Sequence, residues 1–268
     1  MALPKLKILI APSSFKESMT SIVASEAIEQ GVLEILPKAL IWKVPLADGG
    51  TGTVDSLIQA LGGKRAYLEV KDPLGRKIMA YYGLLSDNET AVVEMASSSG
   101  LALLSTLERD PMITTSYGCG ELINHALTQG VKKIILGIGD SATVDGGIGL
   151  LQALGVKILD IKGREVGQGG SALKEIVGLD VSQARQKLAG VKILVASDVN
   201  NPLLGAKGAA QVFGPQKGAT PEMVKELELG LSNWVEVLSK TSKLKKDLPG
   251  GGAAGGVAIG LVSLLGAK

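Results

Sequence analysis

A strand-like run, Lys132-Lys133-Ile134-Ile135-Leu136, passes straight into Gly137-Ile138-Gly139-Asp140-Ser141-Ala142-Thr143-Val144-Asp145-Gly146-Gly147. Continuous apolar character is the mark of a strand buried on both faces. Small residues directly after it suit the turn from strand to helix in a parallel α/β unit. The same junction suits phosphate, because glycines let backbone N–H groups approach an anion and a helix start adds unpaired donors. Ser141 and Thr143 are candidate hydroxyl donors, and Asp140 and Asp145 are candidate carboxylates for a metal ion.

Two other readings of this junction compete with phosphate binding. Gly137-x-Gly139-x-x-Ala142 satisfies the loose dinucleotide fingerprint, whose third position accepts Ala. Asp160 ends the run Val156-Lys157-Ile158-Leu159, near where a ribose-binding acid is expected. A nicotinamide oxidoreductase is therefore a rival. The other is a glycine-rich turn that only packs a helix on a sheet.

The rest of the chain decides among them. Leu6–Ala11 is a second apolar run, expected to be a strand buried on both faces. From Thr20 to Leu36 the positions Ala24, Ala27, Ile28, Gly31, Val32 and Ile35 share one helix face. Ile41–Leu46 reads as a strand, followed by Asp48-Gly49-Gly50 and a helix with Thr53 as N-cap. Then the pattern changes. Ala66–Val70, Ile78–Leu85 and Thr90–Met95 are strand-like runs joined by turns without a helix, so they are expected to be antiparallel. Val191–Ala196 is a further buried strand, and Thr220-Pro221 opens a helix burying Val224, Leu227, Leu231, Trp234, Val235 and Leu238.

The resulting organisation is α/β: a parallel-sheet domain over residues 1–65, an inserted α/β domain with a mixed sheet over 66–245, and a return towards the first domain over 246–268. In such sheets ligands bind outside the carboxyl ends of the strands. Polar loops follow four of the strands: Ser13-Ser14-Phe15-Lys16, Asp48-Gly49-Gly50, Gly137–Gly147 and Ser197-Asp198-Val199-Asn200. One site built from all of them is the expectation.

Charge and cysteine usage narrow the partners. A formal net charge of +2 without a basic cluster interleaved with aromatics excludes nucleic acid as the expected partner. Cys119 is the only cysteine, which fits a reducing compartment. No signal peptide precedes the first strand, and the run Val257–Leu265 is too short to span a bilayer. A cytoplasmic location is expected. His125 stands alone, so a histidine metal site is excluded and the oxidoreductase reading loses its usual acid/base residue.

Read together, these segments resemble the bacterial glycerate kinases that form 2-phosphoglycerate. The matching stretches include Ala11–Lys16, Val44–Thr53, Asp72-Pro73-Leu74-Gly75, Val93–Ala96 through Ser99–Leu101, and Thr114–Ile123. Gly137–Gly147, Ser197–Leu203, Val212–Ala219 and Gly251–Gly256 complete the series, in the family's order over essentially the whole chain. The resemblance implies a flavodoxin-like domain interrupted by a second α/β domain, with ATP and Mg²⁺ as cofactors and D-glycerate as substrate. It displaces the dinucleotide reading, and Asp160 becomes an ordinary strand end.

Phosphoryl transfer to an alcohol needs positioning, charge neutralisation and a base near the hydroxyl. Gly137, Gly139, Ser141, Ala142, Thr143, Gly146 and Gly147 are expected to cradle nucleotide phosphate. Asp145 or Asp198 would hold Mg²⁺, which favours hard oxygen ligands. Asp48 would act as base or orient the hydroxyl, with Asp198 and Lys16 also catalytic. Ser14, Lys16, Asp48 and Lys217 would meet the substrate.

The chain departs from the family at Ser13, Asp140 and Val144, where Asp, Gly and Asn are usual. Family members also continue past the position of Lys268 through further strands of the first domain. The chain is accordingly expected to carry only two of those strands, to be a fragment, split-gene partner or decayed copy, and to associate with itself or with a complementing C-terminal fragment. A catalytically inactive binding protein of the same family is the alternative, with the NAD-dependent oxidoreductase behind it.

Overall fold

The computed structural model describes residues 6–15, 18–242 and 248–268. In chain order the elements are β1 (Lys7–Ile10), α1 (Ser21–Ile35), β2 (Leu40–Lys43), α2 (Thr53–Leu61), β3 (Gly63–Lys71), β4 (Lys77–Leu85), β5 (Thr90–Glu94), α3 (Ala96–Ser99) and α4 (Tyr117–Thr128). They continue with β6 (Lys133–Gly137), α5 (Ile148–Leu154), β7 (Lys157–Leu159), β8 (Gly178–Asp180), α6 (Ser182–Lys187), β9 (Lys192–Ala196), α7 (Ala209–Phe213), α8 (Pro221–Thr241) and α9 (Val257–Leu265).

The five-stranded sheet runs in the order β3-β4-β5-β6-β9. β3, β4 and β5 are antiparallel, as the helix-free turns between them require. β5, β6 and β9 are parallel, with crossovers long enough to carry helices. β5 is thus the pivot of a mixed sheet. One face is covered by α4 and the main core, and the other takes Val54 from α2 against Leu85 and Val92. α8 buries the predicted stripe, with Trp234 fully enclosed and its indole N–H donating to the Gly146 carbonyl at 3.1 Å.

The first strands form the expected parallel pair, but their burial differs from expectation. β1 and β2 pair in parallel with each other alone among the described residues. Only Ile10 of β1 is buried, while Leu9 is 64% and Trp42 50% exposed. α1 has Thr20 as N-cap, yet it buries only Ser21, Ala24 and Ser25, and Ile35 is 80% exposed. A two-stranded sheet with one helix cannot cover both of its faces.

Residues 248–268 pack elsewhere than predicted. α9 lies against α5 and α8, and Lys268 exchanges backbone hydrogen bonds with Ile193 and Val195 of β9. The expected return towards the first domain is not seen over the described residues 248–268, where the apolar helix is seated on the five-stranded unit. The ribose-acid reading also fails. β7 pairs with β8 in a separate hairpin, and Asp160 binds Arg164 in the adjoining turn. No helix among the described residues is long and apolar enough to cross a membrane.

Candidate active site

A cavity of about 520 Å³ opens where the loops following β1, β2, β6 and β9 meet. Ser14, Asp48, Gly139, Ser141, Asp198 and Lys217 all line it, so the expected convergence at the carboxyl ends of the strands occurs. Lys16 lies outside the described residues.

The loops are held together by close backbone approach. A Cβ on Gly137 would stand 2.5 Å from the Gly49 carbonyl oxygen, and one on Gly139 would stand 2.7 Å from the Gly50 Cα. The Gly139 N–H donates to the Gly49 carbonyl at 2.9 Å, and the Ile138 N–H to Ala196 at 3.2 Å. The glycines of the Gly-x-Gly signal thus let the loop after β2 press onto the end of β6. Asp48 Oδ1 accepts from the Gly50 N–H at 3.1 Å, which fixes the carboxylate at the mouth of that loop.

The second half of the predicted cradle lies away from the cavity. Ala142, Thr143, Gly146 and Gly147 are fully enclosed and do not line the cavity. The Ala142 N–H donates to Ser99 and the Gly146 N–H to Gly255, while the Thr143 hydroxyl is buried without a hydrogen-bond partner. The start of α5 carries no free donors. Asp145 accepts from the N–H groups of Gly147 at 3.0 Å and Gly149 at 3.4 Å, and the Ser116 hydroxyl accepts from Leu150 at 2.9 Å. Ser116 in turn donates its N–H and hydroxyl to Asp145, at 2.9 and 2.7 Å. Asp145, buried and saturated by donors, caps the start of α5 from inside and does not line the cavity.

Lys217 is the main charged group of the cavity wall. It is 2% exposed and donates to Ser141 Oγ at 2.9 Å and to the Thr143 carbonyl at 2.7 Å. Burial pushes its ammonium down to about 7, with Asp145 acting in the opposite sense. One N–H of the ammonium remains for a ligand.

Asp140 sits at φ +56°, in the left-handed region that favours glycine. Its Oδ2 accepts from the Thr51 N–H at 3.0 Å and hydroxyl at 2.8 Å, hydrogen bonds that glycine cannot make. The departure from Gly therefore ties the β2 and β6 loops together. Arg109, Thr51, Gln216 and Ala254 also line the cavity. Gln216 and Ala254 lay inside the quoted segments, whereas nothing local marked Arg109, between two acids in a turn-rich stretch.

Asp198 is the one predicted metal ligand that faces the cavity, with Asp48 and Asp140 the other carboxylates on its wall. Magnesium takes one or two protein carboxylates and completes its shell with water and phosphate, so Asp198 fits the ion as a single ligand; among the described residues no three His, Cys, Asp or Glu side chains cluster as a metal site.

A profile of the glycerate kinase family matches residues 8–268. The glycerate kinase of Haemophilus influenzae is 51% identical over 260 residues, which cover 97% of this chain and 69% of that protein. The glycerate 2-kinase of Escherichia coli is 48% identical, covering 98% of this chain and 69% of its own length. A crystal structure from Salmonella typhimurium, provisionally assigned as glycerate kinase 2, superposes with a TM-score of 0.88 at 47% identity, covering 98% of this chain and 71% of that one. The cavity at the strand ends, with its buried lysine and its aspartates, is thus carried by a chain that belongs to the glycerate kinase family.

Proposed function

We propose that the chain phosphorylates D-glycerate to 2-phosphoglycerate with ATP and Mg²⁺. The observation that carries this is the meeting of Asp48, Ser141, Asp198 and Lys217 in one cavity at the strand ends, in a chain with this family membership. MgATP, when bound, supplies the phosphoryl group and neutralises charge on the phosphates. Asp198 would hold the ion. Asp48 would accept the hydroxyl proton of glycerate. Lys217 and the Ser141 hydroxyl would donate to phosphate oxygens.

A cytoplasmic setting goes with this reading, since Cys119 is a buried free thiol. So does a complementing C-terminal segment over the exposed apolar faces of β1 and α1. The test is turnover of D-glycerate and Mg-ATP by the purified chain, alone and completed with the family's C-terminal segment, with ³¹P NMR to tell 2- from 3-phosphoglycerate. Asp48→Asn should lower kcat by roughly 10²–10⁴-fold; an unchanged kcat removes Asp48 as base. ATP and glycerate that raise Tm without turnover, in both forms, would favour the binding-protein reading.

A further inference from the structure

Arg109 and Lys217 are the basic side chains on the cavity wall among the described residues. Their situations differ. Lys217 is pinned by Ser141 and Thr143. Arg109 makes no ion pair and no side-chain hydrogen bond among the described residues, and its Nε is buried without a partner. The neighbouring acids are engaged elsewhere. Glu108 accepts from Ser105 and Arg76, and Asp110 accepts from the Met112 N–H. The aspartates on the cavity wall do not pair with Arg109 either.

The position of Arg109 is rigid. Gly218, at φ +94°, lies so close that a Cβ there would stand 2.0 Å from the Arg109 carbonyl oxygen. The segment bearing Lys217 and the segment bearing Arg109 are therefore packed backbone to backbone. A buried guanidinium N–H with no acceptor costs free energy that a ligand anion would return. The planar fork of a guanidinium matches a carboxylate in two parallel hydrogen bonds, whereas a pinned ammonium acts as a point donor to phosphate.

Resting on the kinase reading above, we infer that the Arg109 guanidinium receives the carboxylate of the substrate. It is then the residue that selects a hydroxy acid over a neutral polyol. Glycerol, which carries a hydroxymethyl group in place of the carboxylate, is the matched probe.

The experiment compares wild type, Arg109→Lys and Arg109→Met, each checked for an unchanged Tm, on D-glycerate and on glycerol. The expected result for Arg109→Met is a KM for D-glycerate raised roughly 100-fold or more, with the KM for ATP and the weak turnover of glycerol unchanged. Arg109→Lys should fall between, since it keeps the charge and loses the fork. Equal losses on both substrates would mean a structural role and overturn the inference. A raised KM for ATP with that for glycerate unchanged would move Arg109 to the phosphates, also overturning it. If glycerol turnover is too slow to measure, the split between the two KM values decides alone. If wild type turns nothing over, calorimetric binding of D-glycerate decides. Binding lost in Arg109→Met supports the carboxylate site although the kinase reading fails; binding unchanged in Arg109→Met, or absent from wild type, refutes it.

Discussion

Glu94 offers the sharpest quantitative test of how this site is held. It ends β5, is 1% exposed, and accepts from the Val54 N–H at 3.1 Å. It thereby caps α2, where Gly52 has no side chain to do so and the predicted cap Thr53 donates instead to the Gly50 carbonyl. Burial pushes the carboxyl up to about 7 from an ordinary 4.5, against the donors of Val54, Gly52 and Thr53, with Asp55 adding to the rise. Asp55 and Tyr81 are the titratable groups that face it. The sign follows from linkage. Below 4.5 the acid is neutral folded and unfolded, and its stabilising contribution is complete; as pH rises to 7 the unfolded chain releases the proton first, and the contribution is lost. The loss is the difference of 7 and 4.5, or 2.5 units, at 1.36 kcal/mol each, so about 3 kcal/mol. Glu94→Gln stays neutral and still accepts from Val54. About 2.5 kcal/mol of that loss falls between pH 5 and pH 8, so its Tm relative to wild type should be about 5–10 °C higher at pH 8 than at pH 5, at roughly 2–4 °C per kcal/mol for a chain of this size. Circular dichroism melts of both proteins at the two pH values measure this. A difference that does not change with pH would refute burial as the cause.

Lys217→Met should lower kcat by about 10²–10³-fold. Because the ammonium titrates near 7 folded and 10.5 ordinarily, its stabilising contribution is lost as pH falls from 10.5 to 7, so the Met variant should gain Tm over wild type between pH 10 and pH 7. Asp140→Gly removes a left-handed non-glycine residue together with two hydrogen bonds to Thr51, and stability should change by no more than about 1 kcal/mol. Its KM for ATP should fall several-fold as a carboxylate leaves the cavity wall. Burial raises the thiol pKa of Cys119, so a thiol reagent should label it only on unfolding.

The parts legible in the sequence were those in which one segment carries its own answer. Thr220-Pro221 and the spacing of Val224 to Leu238 are enough to place α8 and its buried stripe, because cap and period are local. The polar ends of the apolar runs were likewise enough to bring Ser14, Asp48, Ser141 and Asp198 to one cavity, since parallel strands share an end. The failures are of another kind. Whether an N–H at the start of α5 is free depends on Ser116, far away in the chain, and that residue had taken Leu150 before any ligand arrived. Whether Gly137 admits an anion or a second backbone depends on Gly49. Whether Leu9 is buried depends on what lies across the strand, which an apolar run cannot report. In each case the sequence shows what a group is able to do, while its neighbours determine what it has left to do. Arg109 is the converse: no local pattern marks it, and only the fold shows a cation whose chain neighbours Glu108 and Asp110 have found other partners. Donors that the fold leaves unspent, the Arg109 Nε–H and the Thr143 hydroxyl among them, are therefore where a search for bound ligand should begin.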